Sequence, residues 1–176
     1  NYSLNLNFKQ DKNLLNFVFT DTSYLGWREN SKYFSQDFMT NLTQNLTETS
    51  ELEFRYNYRN ATLGIPGSNS TKIEDYDGTK EKKATTPNNK MDSEAHFLQA
   101  GYKKFFGLTE FYTRFFMNQQ LKTNTDTNLH DHFDENKYGF ESRINFENGL
   151  LIGYQFETDT AEKNDKLNSP SLNIYS

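Results

Sequence analysis

The chain has 176 residues, of which 34% are apolar and 24% charged, with a formal net charge of −5 and a mean hydropathy of −0.95. No run approaches the ~18 apolar residues of a transmembrane helix, although strands in a barrel need only every second residue to be apolar. The absence of Cys excludes disulfides and thiolate metal sites, the acidic balance argues against a nucleic-acid partner, and 16 Phe with 11 Tyr are too many for a disordered chain.

The first alternation is Tyr2, Leu4, Leu6 and Phe8 against Asn1, Ser3, Asn5 and Asn7. A short polar turn at residues 10–13 and a second run through Leu15, Phe17 and Phe19 to about Leu25 predict a β-hairpin. Residues 26–31 form a connection carrying Trp27, the only Trp, between Tyr24 and Tyr33. Aromatics at strand ends suit either a membrane-interface girdle or ordinary loop anchoring.

A third strand is expected over about 33–42 and a turn over 44–50. The fourth strand has Leu52, Phe54, Tyr56 and Tyr58 on one face and Glu51, Glu53, Arg55, Asn57 and Arg59 on the other. A soluble sandwich would bury the first face against a second sheet, whereas a membrane barrel would show it to lipid.

Residues 61–91 are rich in Gly, Pro, Asn, Asp, Thr and Lys and read as a long loop, a kind of connection that is usually functional. A fifth strand from about Ser93 carries Leu98, Ala100 and Tyr102, and a turn at 104–107 leads to a sixth through Phe111, Phe115 and Met117 to about Leu121. Residues 122–136 read as a second long polar loop.

Strands seven and eight are a hairpin: Tyr138, Phe140, Ser142, Ile144 and Phe146, then Asn148-Gly149, then Leu150, Ile152, Tyr154 and Phe156. The Asn-Gly pair predicts a type I′ turn with positive φ at both positions. Residues 159–170 read as a third long loop, and a ninth strand is expected from Ser171, where Leu172 and Ile174 begin a new alternation that Ser176 cuts off. The chain is therefore expected to be a fragment.

Connections that are short at one end and mostly long at the other define an all-β, antiparallel up-and-down meander, part of a transmembrane β-barrel. A lipocalin-like barrel also meanders but needs an apolar interior, and here the second face is Glu, Arg, Asn, Gln and Lys.

Residues 56–67 (Tyr-Asn-Tyr-Arg-Asn-Ala-Thr-Leu-Gly-Ile-Pro-Gly) resemble the strand and loop entry of TonB-dependent outer-membrane receptors, and residues 138–154 are similar to that family's mid-barrel Tyr-Gly hairpin. The resemblance implies a 22-stranded barrel around a plug domain, located in the bacterial outer membrane. Such a receptor imports scarce nutrients such as metal chelates, haem or cobalamin with energy from the TonB complex. Residues 1–176 would supply eight or nine strands, with the plug and the TonB-contacting box outside the chain. The implied partners are the lipid bilayer, the plug, the TonB complex and a small-molecule ligand, with no cofactor and no enzymatic activity. An eight-stranded adhesin or pore, and a soluble carbohydrate-binding β-sandwich, are the alternatives.

Candidate ligand contacts are few. Tyr76 lies among Glu74, Asp75 and Asp77, where it could stack on a planar ligand or simply belong to the Asp77-Gly78 turn. His130, Asp131 and His132 form the only His cluster; their side chains would alternate on an extended chain, so a solvated loop competes with metal-chelate contact and no metal site is expected. Arg59, with Arg55, Arg114 and Arg143, falls on the polar face, where attraction of an anionic ligand competes with pairing to Glu51, Glu53 and Glu141 across strands. Gly64-Ile65-Pro66-Gly67 reads as a sharp fold at the loop base. No Ser-His-Asp arrangement or phosphate loop can be assembled.

Overall fold

A computed structural model describes residues 1–67, 78–79, 82–126 and 129–167, the side chains of 129 and 164–167 excepted. Eight strands are present: β1 (Tyr2–Gln10), β2 (Asn13–Tyr24), β3 (Tyr33–Thr47), β4 (Ser50–Gly64), β5 (Lys90–Phe106), β6 (Thr109–Thr125), β7 (Leu129–Asn145) and β8 (Leu151–Leu167). They form one sheet in the order β1-β2-β3-β4-β5-β6-β7-β8. Every neighbouring pair is antiparallel, with one register irregularity, between Asn45 and Thr47. The expected meander is thus observed.

The register turns the sequence alternation into two opposite surfaces. Phe8, Leu15, Leu42, Phe54, Ala100, Phe115, Phe140 and Phe156 stand in one row across all eight strands. One residue further along, Asn7, Asn16, Asn41, Arg55, Gln99, Phe116, Gly139 and Glu157 form the adjacent row. Because side chains alternate across a pleat, these rows lie on opposite faces.

Ala61 and Tyr112 are the buried hydrophobic residues among those described, while Leu52 and Phe54 are each 41% exposed. A sandwich would have hidden that face between two sheets, so the sandwich alternative does not hold. Nor do β1 and β8 pair with each other, as a closed eight-stranded barrel would require.

The apolar band runs obliquely across the sheet. In β1 it covers Tyr2 to Phe8, in β4 Tyr58 to Leu52, and in β8 Phe156 to Ile152. Relative to rows perpendicular to the strands, its centre shifts by about five residue rows, roughly 17 Å, over seven strand spacings totalling roughly 34 Å. A band parallel to a membrane therefore implies strands tilted by roughly 25–30°, somewhat less than the roughly 35–45° of closed barrels.

Several boundaries depart from the sequence reading for one reason. Residues 122–125 extend β6, residues 129–136 begin β7, and residues 159–167 continue β8, so the expected loops 122–136 and 159–170 are largely strand. These stretches lack apolar alternation because the face that carries Tyr138 and Phe140 lower down is here occupied by Asn136, Asp134 and His132, and among the described side chains the other face keeps only one large apolar group, the isolated Phe133 under Lys122. A strand standing in water beyond an apolar band keeps its backbone ladder without an apolar face. The expected ninth strand lies outside the described residues.

The turns also differ in detail. The connection between β7 and β8 spans residues 146–150, with Gly149 N–H donating to the Phe146 carbonyl at 2.9 Å. Only Gly149 has positive φ there, at 83°, so the turn is not type I′; Asn148 Oδ1 instead accepts from the Leu150 N–H at 3.0 Å. Short connections at residues 11–12, 48–49, 107–108 and 146–150 share one end of the sheet, and residues 25–32, 65–89 and 126–128 share the other. The turn expected over 44–50 shrinks to 48–49 because β3 and β4 continue pairing as far as Thr47 and Ser50.

If the apolar face meets lipid, Phe54→Arg costs about 2–4 kcal/mol at midplane depth. Gln120→Arg, on the opposite face and directly across from Glu135, costs under about 1 kcal/mol. Denaturant unfolding of the full-length protein from lipid vesicles measures both; equal costs would contradict this facing.

Candidate functional site

The polar face carries a continuous set of side-chain contacts. On β1 to β4 it is built of amides: Asn16 Nδ2 donates to Asn5 Oδ1 at 3.1 Å and to Asn7 Oδ1 at 2.6 Å. Asn41 Nδ2 donates to Asn16 Oδ1 at 3.5 Å, and Arg55 Nε to Asn41 Oδ1 at 2.8 Å. Asn, a poor strand former, is accommodated because its amide meets another amide directly across the ladder.

On β4 to β8 the contacts are ionic. Lys103 Nζ lies 3.2 Å from Glu53 and 3.5 Å from Glu51. Glu141, whose side chain is 15% exposed, holds Arg114 at 2.7 Å and Arg143 at 3.3 Å. The Arg143 guanidinium stacks 4.8 Å from the Tyr112 ring centroid. Lys137 pairs with Glu157 at 2.7 Å. Phe116 lies over Gly139, where an added Cβ would meet its ring at 2.1 Å; the glycine leaves room for a ring to cover its strand.

Further along this face, toward the end bearing residues 25–32, lies a concavity of about 550 Å³ lined by Val18, Met39, Asn57, Phe97 and Asn118, with Thr20, Asp37, Arg59 and Ala95 in the next row. Asn57 Oδ1 is buried there without a hydrogen-bond partner. An apolar floor with a single orphan acceptor in an otherwise polar wall can hold an apolar group that also carries a donor.

Of the sequence candidates, Arg59 is on this wall, and its Nε donates to Asp37 Oδ1 at 2.5 Å. Its charge is thereby paired with Asp37 and not with Glu51, Glu53 or Glu141. His130, Asp131 and His132 lie within β7 and not in a loop. His130 and His132 share the face of Tyr138 and Phe140, while Asp131 turns to the polar wall, so the three do not converge. Among the described residues no group of three His, Cys, Asp or Glu could hold a metal ion. Tyr76 lies outside the described residues.

The sequence reading missed a chain on the opposite face. The Tyr56 hydroxyl pairs with His96 Nδ1 at 2.9 Å, and His96 Nε2 with Glu94 Oε1 at 2.9 Å. The Tyr58 ring lies 5.0 Å from the imidazole. These groups sit where the apolar band gives way to polar residues, and the chain carries hydrogen bonding from the band's edge toward water. The clue was available in sequence: Leu98, His96 and Glu94 occupy one face of β5 at successive alternate positions.

Taken together, the fold is an eight-stranded antiparallel meander with one largely apolar and one largely polar face. Across 99% of its length the chain is similar in structure to the ferric citrate transporter FecA in its unliganded crystal form, with a TM-score of 0.76 and 18% sequence identity. It spans 29% of that transporter's length. No family model matches the chain, and no curated protein matches it.

Glu141→Gln leaves two guanidiniums facing each other and is expected to destabilise the sheet by about 1–3 kcal/mol. Adding Arg114→Gln should recover part of that loss. Denaturant midpoints of the three variants test the pairing, and strictly additive effects would exclude it.

Proposed function

We propose that this chain is part of the barrel wall of a TonB-dependent outer-membrane receptor, a transporter of a scarce nutrient such as a metal chelate, haem or a cobalamin-like compound. One observation carries the reading: the sheet has an oblique apolar band on one face and a hydrogen-bonded polar wall on the other. This arrangement suits a sheet separating lipid from an aqueous lumen. The likeness in fold to a ferric citrate transporter supports the same reading.

In this proposal the protein resides in a bacterial outer membrane, and residues 1–176 contribute eight or nine strands. A plug domain and the TonB-contacting segment belong to other parts of the same protein. Import follows plug rearrangement, a gating event and not bond chemistry. The end bearing residues 25–32, 65–89 and 126–128 faces outward, where longer connections and polar strand extensions meet the ligand first. Tyr76, His130, Asp131 and His132 are the proposed ligand contacts at that end, and Arg59 is the proposed contact in the lumen wall.

The test is membrane fractionation of the full-length protein followed by a heat-shift electrophoresis assay and uptake of radiolabelled iron supplied as ferric citrate, haem or a hydroxamate chelate. The expected outcome is an outer-membrane protein whose mobility changes on boiling and whose deletion abolishes uptake of one iron source. Recovery in the soluble fraction would overturn the reading.

A further inference from the structure

The outward end contains a feature that transport alone does not require. The β2–β3 connection (residues 25–32) and the base of the β4–β5 connection (residues 64–67 and 82–89) are tied together by side chains from one short turn. Asn30 Nδ2 lies within donor distance of three carbonyls: Thr86 at 2.7 Å, Asn89 at 2.8 Å and Ile65 at 3.1 Å. Arg28 Nη1 donates to the Gly67 carbonyl at 2.7 Å, and its Nη2 to the Lys83 carbonyl at 3.1 Å.

The backbone completes the contact. Glu29 N–H donates to the Lys82 carbonyl at 2.7 Å, and Gly64 N–H to the Lys32 carbonyl at 2.8 Å. Asn30 has φ 54°, a left-handed conformation that Asn tolerates better than most residues. This conformation brings the Asn30 backbone against Gly64, where a Cβ would meet the Asn30 carbonyl oxygen at 2.6 Å.

Carbonyls that point inward from a loop need donors. Here one amide and one guanidinium supply them from a segment 35 to 59 residues away in sequence. Within the β4–β5 connection each of the three carbonyls already accepts one bond, Asn89 from the Ile65 N–H at 2.9 Å, Thr86 from the Asn89 N–H at 3.3 Å and Ile65 from the Thr86 hydroxyl at 2.6 Å; Asn30 adds a second donor from the other connection. Opening one therefore strips partners from the other, which is the condition for two segments to behave as one cooperative unit.

We infer that the two connections open and close together, with Arg28 and Asn30 as the positioning residues that couple them. A molecule or protein binding either connection at this end meets a single platform, and stabilising one half stabilises the other. The inference rests on these contacts and is independent of what the barrel transports.

Amide hydrogen exchange on the full-length protein in detergent micelles tests the coupling. Asn30→Asp keeps the side-chain shape and the left-handed backbone but removes the donors, and Asn30→Gly keeps the backbone alone. Both are expected to speed exchange about tenfold or more at Ile65, Thr85 and Asn89, across the clasp. Amides of β6 and β7 should stay unchanged.

The reciprocal variant, Thr86→Val, removes the hydroxyl that donates to the Ile65 carbonyl at 2.6 Å and should speed exchange at Glu29. Faster exchange confined to residues 26–32 in the Asn30 variants would overturn the coupling, as would an equal rise throughout β6 and β7. Should neither Asn30 variant fold, Thr86→Val decides alone, and an unchanged Glu29 amide would refute the inference.

Discussion

The backbone ladder is the constraint on which everything else depends. A strand that crosses hydrocarbon has no water to satisfy its N–H and C=O groups, so each must bond to a neighbouring strand. The seven ladders here run the length of the sheet with one irregularity, near Asn45, and the side chains are arranged around that continuity. Once the ladder is fixed, the pleat assigns every second residue to the same face. Packing then follows an unusual rule: most large apolar groups share one exposed face, while on the other the polar groups satisfy one another around a few apolar residues such as Phe97 and Phe116. The scarcity of buried hydrophobic residues is a consequence of this inversion, not a sign of poor folding.

The inner wall shows how polar residues can replace a hydrophobic core. Buried or half-buried charges are costly unless paired, and each inner Arg described has an acidic or amide partner within hydrogen-bond distance: Arg55 with Asn41, Arg59 with Asp37, and Arg114 and Arg143 with Glu141. The partners come from the neighbouring strand for Arg55, Arg59 and Arg114, so the interactions reinforce register as well as neutralising charge. A slip of one residue would bring Phe and Leu onto the polar face and Arg onto the apolar one, which makes the register strongly specified.

Legibility in the sequence tracked this same alternation. The eight strands, their meander and the two faces of β4 were readable because Leu52 to Tyr58 and Glu51 to Arg59 alternate without a break. Residues 122–125, 129–136 and 159–167 were not readable as strand, since the period-two pattern vanishes when both faces meet water, and only the neighbouring ladder keeps the chain extended. The candidate site was less legible. Arg59 was found on the inner wall, but its partner Asp37 lies 22 residues away in sequence and becomes visible only through register. The Asn30 clasp escaped for a similar reason: its partners are backbone carbonyls, which carry no residue-specific mark.

The period of two also governs how such a wall can change over time. Adding or removing two residues in one strand raises or lowers its rim by about 6–7 Å and leaves every remaining side chain on its original face. Adding one exchanges the apolar and polar faces along the whole strand beyond the insertion, unless a bulge like that at Asn45 and Thr47 absorbs it. The polar extensions of β6, β7 and β8 are therefore the region where height can drift in even steps at little cost, while the banded half below them is held to its frame.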